Sequence, residues 1–344
     1  MFSAVNIGAN RRGWLVLAFG IVAIALLVDL TYRNDPTSVD FHTYVAAGQV
    51  GLQQGWSHIY DQGLVAVEQK ELSTQLVAQP FLSPPTVAFV TAPLGFLPYD
   101  VAYVVWAVLL FGAFAAALAW AGVSKGWSRW IAVVGALAPW WVMHAVNVGQ
   151  IVPLLAAGAV VAWRFRLFAS WAAVAVGVLL VIVVTVGTGG MAEYITQLRG
   201  PLPKGTDDLT LHGALAATGA MAMFLRVLIV AAVFAAAYKL RSSPGLVIPM
   251  AIVGSLLISP YLHASDLCVL AAAGWMVWEE RPALTWRIPL VAIWVLASPY
   301  LFDRGLSPQL KQWPWLEIAL LVVLLVAAWW PLTPGAESRR RAPA

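Results

Sequence analysis

The chain has 344 residues, 61% hydrophobic and only 10% charged, with a mean hydropathy of +0.81 and a formal net charge of +4. Soluble domains carry roughly 25% charged residues, so a soluble globule is excluded. The lysines and arginines sit at the ends of apolar runs, which reports membrane orientation and not nucleic-acid binding. A single cysteine, Cys268, excludes an internal disulfide and any cysteine-rich metal cluster.

A helix that crosses a bilayer needs about 20 apolar residues. In chain order the candidate runs are 13–31, 84–121 (interrupted by Pro93 and Pro98), 131–147, 150–163, 167–187, 226–241, 246–261, 266–278, 287–301 and 315–331. Arg11 and Arg12 precede the first run and no small-residue cleavage site follows it, so it reads as a retained span. Nowhere do apolar and polar residues alternate as a closed barrel requires. The predicted fold is all-α, a polytopic transmembrane helical bundle of about ten crossings. A single transmembrane domain is expected over residues 1–338, with 339–344 as a basic cytoplasmic tail.

Cytoplasmic loops of membrane proteins are enriched in Lys and Arg. If 84–121 makes one net crossing, Arg11, Arg12, Lys125, Arg129, Arg164, Arg166, Lys239, Arg241, Arg281, Arg287 and Arg339 to Arg341 share the N-terminal side. Arg33, Lys70, Arg199, Lys204, Arg304 and Lys311 lie opposite. Both termini are therefore expected in the cytoplasm. A long extracytoplasmic first loop (32–83) carrying short surface helices is predicted. The turn from His144 to Gln150, the loop 188–214, the corner from Ser259 to Asp266 and the loop 302–314 join it on the outer face. All five histidines fall on that face, which suggests a polar cavity opening outward.

After the first apolar run comes Asp40-Phe41-His42-Thr43-Tyr44, then Gly55, Tyr60-Asp61 and Phe81-Leu82-Ser83-Pro84-Pro85. Further along stand Asn147-Val148-Gly149-Gln150, Asp208-Leu209-Thr210-Leu211-His212-Gly213 and Ser259-Pro260-Tyr261-Leu262-His263-Ala264-Ser265-Asp266-Leu267. This ordered set resembles glycosyltransferase family 87, integral membrane enzymes of the C-type superfamily that use polyprenyl-phosphate sugars. Relative to the family pattern, Ser83 replaces an aromatic, Tyr261 a histidine and Ser265 a tyrosine. Trp163-Arg164-Phe165-Arg166 also leads directly into the next span, where the family carries an extra helical hairpin.

The resemblance implies a catalytic transmembrane domain and an inverting hexosyltransferase. The donor would be a polyprenyl-phosphate sugar, mannose above all, and the acceptor a lipid or glycan hydroxyl outside the membrane. It also implies that Asp40 is the catalytic base. Taking the acceptor proton needs a carboxylate, whereas a phosphate leaving group needs no strong acid. Helix capping is the structural alternative for Asp40. His42 and Tyr44 are candidate sugar contacts, with an exposed loop histidine as the alternative for His42. Asn147 and Gln150 either bind ligand or satisfy backbone at a turn. His263 is a candidate donor contact, and Asp266 stands three residues on, on the same face, where it either joins the site or caps a helix.

Arg226, Arg199, Lys204 and His212 are candidate phosphate contacts, since a guanidinium suits a phosphate well. Arg226 divides two apolar stretches. Laying 211–224 flat on the outer surface would put it at the interface at the start of a span, and snorkelling without a role is the alternative. No metal and no other cofactor is expected. Two other functional classes remain open: a membrane transporter or lipid flippase, and a non-catalytic shortened relative of the family.

Overall fold

In a computed structural model the described residues are 38–73, 76, 78–165, 168–199, 210, 219–240, 244–259, 262–297 and 315–330. The predicted span at 13–31, the tail at 339–344, Lys204 and His212 lie outside them. Every regular element among the described residues is helical. In chain order these are α1 Val39–Gln53, α2 Gln62–Leu72, α3 Pro85–Thr91, α4 Tyr99–Ala121, α5 Trp127–Leu137, α6 Trp140–Val148 and α7 Val152–Phe165. There follow α8 Phe168–Arg199, α9 Gly219–Lys239, α10 Val247–Ile258, α11 Cys268–Glu279, α12 Leu284–Ala297 and α13 Trp315–Trp329.

Among the described residues three helices are long and apolar enough to cross a membrane: α4, the segment Ala173–Gln197 of α8, and α9. A fourth is gained if α5 and α6, bent by 64°, count as one broken span. The remaining apolar helices, such as α10 at 12 residues and α7 at 14, reach only about 1.5 Å per residue. They fall short of a hydrocarbon core roughly 30 Å thick. About ten full-length crossings are therefore not what the described residues show. α10 ends at Ile258, short of its run 246–261, which contains Pro260, whereas the run 150–163 is itself too short for a full crossing.

The interrupted run 84–121 resolves into a short piece and one span. Pro84 and Pro85 start α3, a 3-10 turn extends it over Ala92–Phe96, and α4 then runs 23 residues. At the other disputed place, α9 begins at Gly219 and continues through Arg226 without a break. Residues 219–224 thus belong to the span and do not lie as a separate surface helix, and Arg226 does not begin the helix.

Chain packing divides the protein into two compact units. The first holds residues up to Ala116, Val146–Ile151 and Ala172–Arg199; the second holds Ala117–Ala145, Val152–Trp171 and the residues from Gly200 on. In the first unit, the predicted outer loop does carry short helices, α1 and α2. α1 is nevertheless buried from Phe41 through Gly51 and does not lie on a surface. Its run from Val45 to Gly51 is small or apolar apart from Gln49, whose amide donates to the Ala92 carbonyl, and a helix of that pattern belongs inside. Its core neighbours are Ile59, Tyr60, Val65, Phe81, Val87 and Val186.

In the second unit α11 is the central element, buried along its Ala271–Ala273 run and at Trp275 to Val277. At its C-terminal end the Glu279 Oε2 accepts hydrogen bonds from the backbone N–H groups of Val123 (2.7 Å) and Ser124 (2.9 Å). Arg129 donates to the carbonyls of Ser124 and Gly122, and Arg287 to that of Pro282. Lys125, Arg129, Arg281 and Arg287 accordingly gather around one end of α11.

Candidate functional site

Asp40 lies half-buried in the first turn of α1, where the helix dipole favours a carboxylate. The N-cap position belongs to Ser38, so Asp40 is inside the helix and is not its cap. Tyr44 stands four residues on, hence on the same face. Its hydroxyl donates to Oε1 of Gln150. Two of the motifs singled out in the sequence are thereby joined although 106 residues separate them.

The turn carrying Asn147 and Gln150 is pressed against the start of α1. Gly149 has φ +77°, and a Cβ built there would stand 2.4 Å from the Phe41 Cβ. Only glycine adopts this conformation without penalty and leaves room for Phe41. The Phe41 ring meets three rings of α4: Tyr99 at 5.7 Å, Tyr103 at 5.9 Å and Trp106 at 6.0 Å between centroids. The polar ends of those rings hold backbone. Tyr103 donates to the Asn147 carbonyl at 2.7 Å and Trp106 Nε1 to the Gly149 carbonyl at 2.8 Å. The Tyr99 hydroxyl shares a hydrogen bond with Ser38 Oγ at 2.9 Å.

His42 is not the exposed loop histidine that the alternative reading expected. Two residues from Asp40 is about 200° around a helix, so the ring faces away from the Asp40 side. It is fully buried, with Nε2 2.6 Å from the Gln69 carbonyl. A carbonyl only accepts, so Nε2 carries the proton. Nδ1 is buried without a partner. Burial holds this imidazole below its ordinary pKa, against the opposing effect of the Gln69 bond.

The segment leading to Phe81-Leu82-Ser83-Pro84-Pro85 is fixed by two glutamines of α2 that sequence reading missed. Gln69 donates to and accepts from the Gln79 backbone (2.7 and 2.9 Å), and Gln62 accepts from the Phe81 N–H at 2.9 Å. They stand seven residues apart, two turns of one helix face, and Gln79 and Phe81 share one edge of an extended segment. Tyr60 stacks on Phe81 at 5.2 Å and donates to the Ser83 carbonyl at 2.8 Å. Its phenol is pushed upward in pKa first by burial and then by Tyr194. Asp61 caps α2, accepting from the N–H groups of Gly63 and Leu64.

A second cluster lies in the other unit. His263 to Asp266 form the entry to α11, where Asp266 Oδ2 accepts the His263 backbone N–H at 2.8 Å. Asp266 thus caps the 3-10 turn Ala264–Leu267 that precedes α11. His144, near the end of α6, lies within electrostatic range of His263. The sequence placed His144 on the outer face but did not pair it with His263. Among the described residues, no three His, Cys, Asp or Glu side chains come together as a metal site.

Residues 81–192 match the model of glycosyltransferase family 87. The resemblance read from the ordered motifs is to this family. Its match takes in Phe81 to Pro85, the aromatic stripe of α4 and the Asn147–Gln150 turn, while Asp40 and the His263 corner lie outside the matched range. No curated protein and no solved structure matches the chain.

The remaining candidates of the family 87 reading are scattered. Arg226 is half-buried within α9. Arg199 ends α8, whose course breaks at Gly187 (φ 71°, ψ 177°). Asp40, Tyr44, Asn147 and Gln150 are brought together within one unit. His263 and Asp266 are together in the other, which also contains Arg226.

Proposed function

We propose that the protein is a membrane glycosyltransferase that moves a sugar, mannose, from a polyprenyl-phosphate donor to an acceptor hydroxyl on the extracytoplasmic side. What carries this reading is the convergence of Asp40, Tyr44 and Gln150 on one face, packed against the segment that matches the family. Asp40 acts as general base. Its carboxylate accepts the acceptor's hydroxyl proton as the oxygen attacks the anomeric carbon, and the polyprenyl phosphate departs with the bonding electrons. Attack opposite the leaving group inverts the anomeric configuration. Tyr44 and Gln150 line the same face and hold the sugar or acceptor by hydrogen bonds.

A transporter tends to carry ionisable groups at mid-membrane and internal repeats. Arg226 apart, the candidate site residues among the described residues stand instead at helix ends and turns. The test uses membranes containing the full chain, supplied with decaprenyl-phosphate [14C]mannose, their own lipids and glycans serving as acceptors. Label should pass into a product in the wild type and not in Asp40→Asn. Absence of transfer by the wild type, or undiminished transfer by Asp40→Asn, overturns the reading.

A further inference from the structure

We infer that Tyr99 positions Asp40 for proton transfer, contacting residues on both sides of it from the first residue of α4. The inference rests on Asp40 being the base. The problem it answers is physical. Asp40 sits in the first turn of a helix, where chain ends fray and four backbone N–H groups lack helical partners. Ser38 occupies the capping position, yet its side chain makes no cap hydrogen bond. Its hydroxyl is bonded to Tyr99 instead, at 2.9 Å, and the Tyr99 oxygen also lies 3.3 Å from the Ser38 carbonyl. The ring of Tyr99 meets Phe41 at 5.7 Å and stands edge-on to His42 at 5.5 Å. One side chain therefore holds residues 38, 41 and 42, which bracket Asp40.

Tyr99 is well placed to do this because it belongs to a rigid element. α4 is one of the membrane-length helices, and Tyr99, Tyr103 and Trp106 recur at i, i+4 and i+7 along one stripe. The other two rings hold the carbonyls of Asn147 and Gly149. The same stripe thus sets the distance between the Asp40 turn and the Asn147–Gln150 turn. A base must meet its proton within hydrogen-bond reach, and a displacement of about 1 Å at a reacting group can cost about a hundredfold in rate. Tyr99 acts through Ser38 and the rings, so it is a positioning residue.

The test is Tyr99→Phe, which removes only the hydroxyl, measured with Ser38→Ala and the double variant in the decaprenyl-phosphate mannose assay. The expected result is kcat lower by about tenfold or more, with KM for the donor within about twofold and an unchanged unfolding midpoint. Ser38→Ala should show a similar loss, and the double variant should be no worse than either, because one interaction is removed by each. Amide hydrogen exchange supplies a readout that does not depend on turnover. Residues 39–43 should exchange faster in Tyr99→Phe than in the wild type, and α2 at its usual rate. Wild-type kcat in Tyr99→Phe, additive losses, a lowered midpoint accounting for the loss, or unchanged exchange at 39–43 each overturns the inference. Full turnover by Asp40→Asn is the separate outcome that overturns the base.

Discussion

Nε2 of His42 donates to the carbonyl of Gln69 across 2.6 Å, tying α1 to α2 with a histidine that has no exposed surface. Its Nδ1 has no acceptor to receive a second proton, so the neutral ring is the form the fold accommodates. The folded pKa is lowered, chiefly by burial. As pH falls through about 6.5, the unfolded chain binds the proton first. Stability from this residue is full above that pH and is lost as pH drops toward the lowered folded value. Thermal unfolding in detergent at pH 7.5 and 5.0 should show a smaller acid loss in His42→Gln, whose amide can still donate to Gln69. Equal acid losses would remove His42 as a source of the dependence.

Gly149→Ala should be costly for two reasons at one position. The residue holds φ +77°, and the new methyl would meet the Phe41 side chain and backbone. A non-glycine residue held in such a conformation costs on the order of 1–3 kcal/mol, and the displaced Phe41 neighbours Asp40. A lowered unfolding midpoint together with lowered transfer is expected. An alanine variant as stable and active as the wild type would mean that the turn and α1 separate without consequence.

Gln69→Leu keeps the bulk of the side chain and removes both bonds to the Gln79 backbone. Because residues 78–80 are exposed, water can replace those bonds, and the loss should be only about 1 kcal/mol. Limited proteolysis should report it more sharply than melting does, as faster cleavage between α2 and Phe81. An unchanged cleavage pattern would show that Gln62 suffices to hold the segment.

The helical membrane class was legible from composition and run length, and the Asp40, Gly149-Gln150 and Phe81 to Pro85 elements from their order. Their mutual contact was not, because it depends on rings from α4 whose run reads only as uniformly apolar. The i, i+4, i+7 spacing of Tyr99, Tyr103 and Trp106 is visible once sought, as aromatic residues with polar ends on one stripe of an otherwise aliphatic helix. His42 could not be placed from sequence, since its burial depends on where the Gln69 carbonyl falls. Span counting failed where hydropathy continues across Pro and Gly but hydrogen bonding does not. The run at 246–261 reads longer than α10, while the runs that make α7 and α11 are themselves too short for a full crossing.

Orientation can be read without any functional assay. Ser57 is exposed in the predicted outer loop and Ser128 is exposed among the bases at the end of α11. The native Cys268 is buried. In a Cys268→Ala background, Ser57→Cys should react with a membrane-impermeant maleimide on intact cells and Ser128→Cys only after permeabilisation. The reverse pattern would move the Asp40 face to the cytoplasm and take the lipid-linked donor with it, and reaction of both would overturn the single net crossing between the two positions.

Arg226 lies seven residues into α9, about 10 Å along the helix axis from Gly219. A guanidinium left at mid-bilayer would cost on the order of 3 kcal/mol. Helical side chains lean toward the N-terminus, and the arginine stem is long enough to lift its head toward that end of α9, which the predicted topology places outside. There the group can meet a donor phosphate through paired N–H bonds. Arg226→Ala should therefore weaken binding of a phosphonate analogue of polyprenyl-phosphate mannose about tenfold or more, and Arg226→Lys should recover only part of it, having the charge without the planar fork. The measurement is a titration of the purified chain in nanodiscs, with folding checked by unfolding midpoint. Affinity unchanged in Arg226→Ala would leave this residue as an arginine that reaches the interface and does nothing more.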